Sequence, residues 1–163
     1  MAKKIKLLFV DDEERFLKTL SDRLSLRDFE VTCTTSGQTA LDLAEEERFD
    51  IALVDLKMPG LSGDQLLAAL KERHPGIEVV ILTGYGTIQS AESCTKLGSY
   101  RYLQKPCETD ELLHVLKDAY WQRIQRKLKL DADKMAQLLE SSAGSSPLAI
   151  LRELRVLSER KGK

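Results

Sequence analysis

Residues 5–14 read IKLLFVDDEE, an apolar run that ends in four consecutive acids. A second apolar run, IALV at residues 51–54, ends in Asp55. Short apolar runs that alternate with helical patterns are typical of parallel strands buried on both faces. In such sheets the chemistry collects at the carboxyl ends of the strands. The sequence therefore predicts that Asp11, Asp12 and Asp55 meet in one crevice.

The predicted crevice contains more than acids. Three carboxylates in close proximity repel one another, so we expect a cation among them, and Mg²⁺ suits a site of carboxylates, waters and phosphate oxygens. Two later apolar runs also end in polar residues. VVIL at residues 79–82 precedes Thr83, and YLQ at residues 102–104 precedes Lys105. Acids, a hydroxyl and an ammonium together make a site that can hold and move a phosphoryl group.

Four segments of the chain, VDDEE, VDLKMPGLSG, LTGYG and LQKP, resemble those of bacterial response-regulator receiver domains. The resemblance covers roughly residues 3–125 and rests on several spaced positions at once. It implies that Asp55 is the phosphoacceptor of a two-component phosphorelay. It also implies that Asp11, Asp12 and Asp55 bind Mg²⁺, with the backbone carbonyl of Lys57 as a further ligand.

The same resemblance implies roles for the residues that follow strands four and five. Thr83 and Lys105 would contact phosphoryl oxygens, while Gly84 would leave room for the incoming phosphodonor. The peptide bond between Lys105 and Pro106 would be cis, and Tyr102 would rotate inward when the threonine moves. On the residues alone, Thr83 fits a hydroxyl satisfying local backbone equally well, and Tyr102 fits ordinary half-buried packing.

The alternation of strand and helix patterns predicts an α/β fold. We expect a doubly wound, five-stranded parallel sheet of order 2-1-3-4-5, a flavodoxin-like receiver with its switch point between strands one and three. The predicted strands are about 5–10, 30–34, 50–54, 78–82 and 101–104. The predicted helices are about 14–27, 37–48, a third that ends at the His-Pro-Gly of 74–76, 87–97, and a fifth from about 109.

The C-terminal part of the sequence has a different character. We expect a receiver domain at 1–125 and a helical tail at 126–163, with a Ser/Gly linker at 141–147 and no separate output domain. The tail contains a predicted helical stretch at 133–140 and an amphipathic helix at 148–157. The apolar stripe of helix five continues into the tail, so it must pack on the same chain folded back, on a second copy or on a partner. Of these we favour a homodimer through this helix. The stripe consists of Leu113, Leu116, Tyr120, Ile124 and Leu128.

Composition places limits on function and location. Residues 1–120 have 15 Lys/Arg and 21 Asp/Glu, whereas residues 121–163 have 10 and 5, so an acidic domain precedes a basic tail. The basic tail raises nucleic-acid contact as an alternative, although its stripes favour a protein partner. Three cysteines without zinc-type spacing indicate reduced thiols. The first apolar run is too short for a signal peptide, which predicts a cytoplasmic protein.

Three functions compete for the predicted site. The first is a signalling switch that accepts a phosphoryl group from a sensor histidine kinase or a histidine phosphotransfer protein and turns over no free metabolite. The second is an Asp-based phosphohydrolase of the haloacid dehalogenase type, which needs a second acid two residues after the nucleophile, where this chain has Lys57. The third is a flavodoxin-like cofactor binder, whose phosphate the acids after strand one would repel. The sequence favours the switch.

Overall fold

The structure, a computed structural model, describes residues 2–141 and 146–160. Five parallel strands form one sheet of order β2-β1-β3-β4-β5, which confirms the order predicted from the sequence. The sheet is parallel because helices connect successive strands, as crossover connections require. The strands are β1 (Ile5–Val10), β2 (Phe29–Thr34), β3 (Ile51–Val54), β4 (Glu78–Thr83) and β5 (Arg101–Gln104).

The helices differ from the prediction mainly toward the C-terminus. They are α1 (Glu14–Ser25), α2 (Gly37–Glu46), α3 (Gly63–Arg73), α4 (Ile88–Lys96), α5 (Thr109–Ser141) and α6 (Pro147–Arg160). The stretch 133–140, predicted as a separate helix, belongs to α5, and α6 extends beyond the predicted 148–157 at both ends. The predicted linker at 141–147 lies mostly outside the described residues, because its central residues 142–145 are not among them.

Local side chains explain where several helices begin and end. Ser36 precedes α2, and its hydroxyl accepts a hydrogen bond from the Thr39 N–H at 3.3 Å. Thr87 does the same for α4, accepting from the Ser90 N–H at 3.0 Å. Such caps satisfy amide groups that have no partner within the helix. Gly98 follows α4 with a φ of 96°, the left-handed conformation that ends many helices.

The core lies on both faces of the sheet because successive strand residues point in opposite directions. On β1, Leu7 and Phe9 pack into one cluster with α1 and the first turns of α5. Leu8 and Val10 pack into the other cluster with α2 and α3. All four side chains are essentially inaccessible to solvent. Two covered faces hold the strand ends, and therefore the residues that follow them, in fixed positions.

The described residues fall into two compact units, divided between Arg123 and Ile124. The first contains the sheet, α1–α4 and the first half of α5. The second contains the remainder of α5 and α6. Within the described part of the chain, no helix has the length and apolar character that crossing a bilayer requires.

Candidate functional site

The acids that follow β1 and β3 lie side by side. The register of these strands pairs Val10 with Val54, and the Asp55 N–H donates to the Val10 carbonyl at 3.0 Å. Asp11, Asp12 and Asp55 each place one carboxylate oxygen within 4.8 Å of the other two. Asp11 and Asp55 are buried and Asp12 is exposed. The strand order thus brings together three acids that lie up to 44 residues apart in sequence.

Lys105 supplies positive charge to this acidic site. Its Nζ lies 2.6 Å from Asp11 Oδ2 and 3.9 Å from Asp55 Oδ2, and 3.8 Å from Glu13 Oε1. Only 16% of the side chain is exposed, so this lysine is held in the site and not solvated at the surface. An ammonium so close to two buried carboxylates offsets part of the repulsion between them.

Asp55 is the most constrained of the acids. Burial raises the pKa of its carboxyl above the ordinary value, the Thr83 hydroxyl and Lys105 act against this rise, and Asp11 adds to it. Its Oδ1 is buried and has no hydrogen-bond partner among the described residues. A buried carboxylate oxygen without a partner, beside two further carboxylates, has the chemistry of a site for a hard cation such as Mg²⁺.

Thr83, the last residue of β4, lies beside Asp55. Its hydroxyl lies close enough to the Asp55 carboxyl to lower the pKa of that group, and it accepts a hydrogen bond from the Tyr85 N–H at 3.3 Å. The side chain is fully buried. The next residue, Gly84, is exposed, and a Cβ added there would meet nothing nearer than the Lys105 Cβ at 4.0 Å. The space between Gly84 and Lys105 is therefore open.

The remaining predicted residues lie around this centre. The Lys105–Pro106 peptide bond is cis. Tyr102 is half-buried and packs against the core cluster that contains Val54 and Ile81. The Lys57 side chain is exposed, and its Nζ lies 4.3 Å from the centre of the Tyr85 ring. The ammonium of Lys57 is thus engaged with an aromatic face, and metal binding by its carbonyl stays a prediction.

Comparison with known proteins identifies the family to which this fold belongs. The family model for the response regulator receiver domain matches residues 7–117, which is more than half of the chain. The chain belongs to the response regulator receiver family. Receivers of this family are components of two-component systems, and the curated relatives of this chain are regulatory proteins.

Two relatives illustrate the extent of the match. The receiver is 36% identical over 113 residues to the transcriptional regulatory protein GlrR of Escherichia coli, an alignment that covers 69% of this chain but 26% of GlrR. It is 36% identical over 110 residues to the photosynthetic apparatus regulatory protein RegA of Cereibacter sphaeroides, covering 68% of this chain and 60% of RegA. The chain thus matches only part of each relative.

Solved structures agree with this assignment. A CheY-like receiver domain protein from Methanospirillum hungatei superimposes with a TM-score of 0.73 at 26% identity. The alignment covers 76% of this chain and 98% of that one. The shared part corresponds to a whole receiver domain, so the additional length of this chain lies outside the family fold.

Two further residues lie at the receiver's site, although the sequence analysis assigns them no role there. Glu13 and Phe16 belong to the start of α1, where sequence reasoning assigns an acid to the helix N-terminus and an apolar residue to the core stripe. Both lie near Lys105, and the Phe16 ring centre is 4.2 Å from its Nζ. Both residues follow Asp12 within about one helical turn. This closeness in sequence to the predicted acids is the feature from which a place at the site could be predicted.

Gly63 is another residue of the site that the motifs do not explain. It is the first residue of α3, and its N–H donates to the Leu56 carbonyl at 2.9 Å. A Cβ added at Gly63 would lie 2.1 Å from the Asp55 carbonyl oxygen and 2.6 Å from the Leu56 Cα. No side chain fits in that space, so glycine is required for α3 to close the loop against the backbone of Asp55.

A cavity of about 590 Å³ opens beside the receiver's acidic site. Its walls come from α1, from the end of β4 and the residues after it, from the residues after β5 and from the start of α5. They include Phe16, Leu20, Leu82, Lys105 and Pro106. The cavity is mostly apolar, with Lys105 and Glu13 on the side of the acids.

Proposed function

We propose that this receiver accepts a phosphoryl group on Asp55 as the switch of a two-component phosphorelay. The observation that carries the proposal is the set of groups around the Asp55 carboxylate: two further acids, the Lys105 ammonium and the Thr83 hydroxyl. A carboxylate can act as a nucleophile toward phosphorus. The other groups are those that phosphoryl transfer needs for holding negative oxygens.

The proposed step is a direct displacement at phosphorus. An oxygen of Asp55 forms a bond to the phosphorus of a phosphohistidine, and the bond from phosphorus to the imidazole nitrogen breaks with its electron pair. The product is an acyl phosphate on Asp55. Lys105 donates to one phosphoryl oxygen and Thr83 to another, and both side chains already lie beside the acceptor. The open space at Gly84 admits the donor.

We propose Mg²⁺ as the cofactor, held by Asp11, Asp12, Asp55 and the backbone carbonyl of Lys57. When bound, Mg²⁺ supplies positive charge that neutralises the carboxylates and the transferring phosphoryl group. The buried and unpartnered Oδ1 of Asp55 supports this assignment. Asp12 is exposed, which suits an ion that keeps several of its waters.

The position two residues after Asp55 argues against an Asp-based phosphohydrolase. That position is Lys57, and its ammonium lies over the Tyr85 ring at 4.3 Å. A lysine cannot replace the general acid of such an enzyme at the same place. We therefore propose that the chain is a phosphoacceptor that assists its own phosphorylation and dephosphorylation, with a sensor histidine kinase or a histidine phosphotransfer protein as donor.

We propose that output passes through protein–protein contacts of residues 126–163, with homodimerisation through α5. Several large apolar side chains of α5 and α6 are exposed, among them Leu128 at 64%, Leu139 at 54% and Leu151 at 62%. Exposed apolar stripes of this kind favour association with another helix. Contact of the basic tail with nucleic acid is the competing proposal, and a salt-dependent affinity for DNA would favour it.

Mass spectrometry after incubation with acetyl phosphate tests the phosphoacceptor proposal. With Mg²⁺ present we expect a mass increase of about 80 Da, the mass of one phosphoryl group. The increase should disappear with a chelator and in Asp55→Asn. Asp64→Asn changes an exposed acid of α3 and should be labelled like the wild type. Labelling of Asp55→Asn at the wild-type rate would exclude Asp55 as the acceptor.

A further inference from the structure

Lys105 is held by two different kinds of partner. Asp11 Oδ2 lies 2.6 Å from its Nζ, and the centre of the Phe16 ring lies 4.2 Å from the same atom. We infer that Phe16 is a positioning residue whose ring face holds the Lys105 ammonium beside Asp55. The inference rests on the proposed function, because it assigns Phe16 a part in phosphoryl transfer through Lys105.

The two partners constrain the ammonium in different ways. A carboxylate accepts a directed hydrogen bond and so occupies one of the three N–H groups of the lysine. An aromatic face attracts the cation through its negative quadrupole and makes no strong directed hydrogen bond. Phe16 can therefore restrain the flexible four-carbon side chain of Lys105 while leaving N–H groups available to a phosphoryl oxygen.

The Phe16 ring contributes most to holding Lys105 when Asp11 is bound to a metal ion. Asp11 is one of the acids that the proposed metal ion would bind. A carboxylate bound to a divalent cation attracts a nearby ammonium less, because its negative charge is shared. The attraction between Phe16 and Lys105 does not involve Asp11, so it persists in the state in which phosphoryl transfer takes place.

Phe16 itself is held in a defined orientation. Its ring meets the Phe9 ring edge-on, with centres 6.0 Å apart and planes at 76°. Phe9 is a β1 residue that is only 1% exposed, two positions before Asp11. The same strand therefore positions both the aromatic support of Phe16 and the carboxylate partner of Lys105. Phe16 also packs against the core, so the test must separate positioning from packing.

A double-mutant cycle makes this separation. The variants are Phe16→Leu, Phe16→Tyr, Lys105→Met and the combination of Phe16→Leu with Lys105→Met, each treated with acetyl phosphate and Mg²⁺. We expect Phe16→Leu to slow labelling of Asp55 by roughly threefold to thirtyfold, the range from an exposed to a desolvated cation–π contact. Phe16→Tyr keeps an aromatic ring at this position and should label Asp55 at the wild-type rate. In the Lys105→Met background, Phe16→Leu should add little further loss.

Two outcomes of the cycle would overturn the inference. One is a Phe16→Leu effect of the same size with and without Lys105, since Phe16 would then act by another route. The other is failure of Phe16→Tyr to restore the rate while the variant remains folded. Leu24→Val is the packing control, because it trims a fully buried residue at the other end of α1. If it slows labelling as much as Phe16→Leu, packing explains the effect and the inference fails.

A second readout does not depend on phosphorylation. Protons close to an aromatic face resonate upfield, so the ε-methylene protons of Lys105 should be shifted upfield in the wild type and in Phe16→Tyr. The shift should be lost in Phe16→Leu, and an unchanged shift would overturn the inference. If the wild type accepts no phosphoryl group, the proposed function fails, while this measurement still decides whether Phe16 holds Lys105.

Discussion

The hydroxyl oxygens of Tyr102 and Ser90 lie 2.9 Å apart, which joins β5 to the first turn of α4. Ser90 also caps that helix, because its Oγ accepts from the Thr87 N–H at 2.9 Å. The Tyr102 ring passes so close to Gly86 that a Cβ added there would lie 2.7 Å from the Tyr102 hydroxyl oxygen. Tyr102 is therefore hydrogen-bonded to the start of α4. Its ring occupies the space that Gly86 leaves by having no side chain.

The Tyr102–Ser90 pair predicts a specific pattern of stabilities. Tyr102→Phe removes one hydrogen bond and should lower the free energy of unfolding by about 1 kcal/mol. Ser90→Ala removes the same bond and half of the α4 cap, so its cost should be larger, about 1–2 kcal/mol. Denaturant unfolding measures both, and the double variant should be no less stable than Ser90→Ala alone. Ser93→Ala, at an exposed position of α4, is the matched control and should change little.

The raised pKa of Asp55 predicts a pH-dependent stability. A carboxyl whose pKa is higher in the folded than in the unfolded protein stabilises the fold fully at pH values below its unfolded pKa. That stabilisation is lost as the pH rises through the folded pKa. In metal-free protein, at pH values above the folded pKa, ionised Asp55 therefore opposes folding, and Asp55→Asn should there raise the melting temperature by a few degrees.

Thermal unfolding in a chelator over a range of pH checks this expectation. The advantage of Asp55→Asn should shrink as the pH approaches the acidic range in which the wild-type carboxyl is protonated. Asp64→Asn, at an exposed position, serves as the control and should show no such trend. A variant less stable than the wild type at neutral pH, or a difference that grows on acidification, would contradict the argument.

The acidic cluster predicts that Mg²⁺ stabilises the protein. A ligand that binds only the folded state adds about 2.7 kcal/mol at a concentration one hundred times its dissociation constant. Asp12→Ala removes one of the three clustered carboxylates and should lose most of this effect. Asp22→Ala, an exposed acid of α1 outside the cluster, should retain it. A wild-type melting temperature that does not respond to Mg²⁺ would count against the metal site.

The exposed apolar residues of the tail predict self-association. We expect the 163-residue chain to be a dimer by light scattering, and a chain truncated after Arg123 to be a monomer that still accepts phosphate. Arg123 is retained because its Nη1 lies 3.0 Å from Asp50 Oδ1. Leu128→Glu should weaken the dimer, whereas Lys129→Glu, its exposed neighbour on α5, should affect it less. A monomer at high micromolar concentration would exclude dimerisation through α5.

The sequence predicted the sheet and the acidic cluster for a physical reason. Strands buried on both faces have a continuous apolar pattern, and the residues that follow such strands lie at one edge whatever the loops do. The position of Asp55 beside Asp11 therefore follows from strand order. The apolar pattern does not predict the continuity of α5, because Asp131 and Asp133 interrupt the apolar stripe, although the surrounding Ala, Lys and Leu residues favour helix.

Contacts that depend on the path of a loop could not be derived in the same way. Phe16 and Lys105 are 89 positions apart, and their contact depends on how α1 leans on the sheet and on the path of the chain after β5. No local pattern encodes such an angle. The contact of Lys57 with Tyr85 is of the same kind, since each residue lies in a loop and neither loop has a periodic signal.

Gly63 affects how mutational scans of this chain are interpreted, because such scans infer functional residues from positions that tolerate no substitution. In a saturation library of this chain, selected for signalling, every substitution at Gly63 should be lost, because even an alanine methyl would overlap the Asp55 carbonyl oxygen. Asp55 would be equally intolerant. The two positions would have the same score although one would perform the chemistry and the other only lets the backbone close behind it. Intolerance alone therefore does not distinguish Asp55, the proposed acceptor, from Gly63, which packs against its backbone. A folding assay would distinguish them, because substitution of Gly63 should disrupt the local fold.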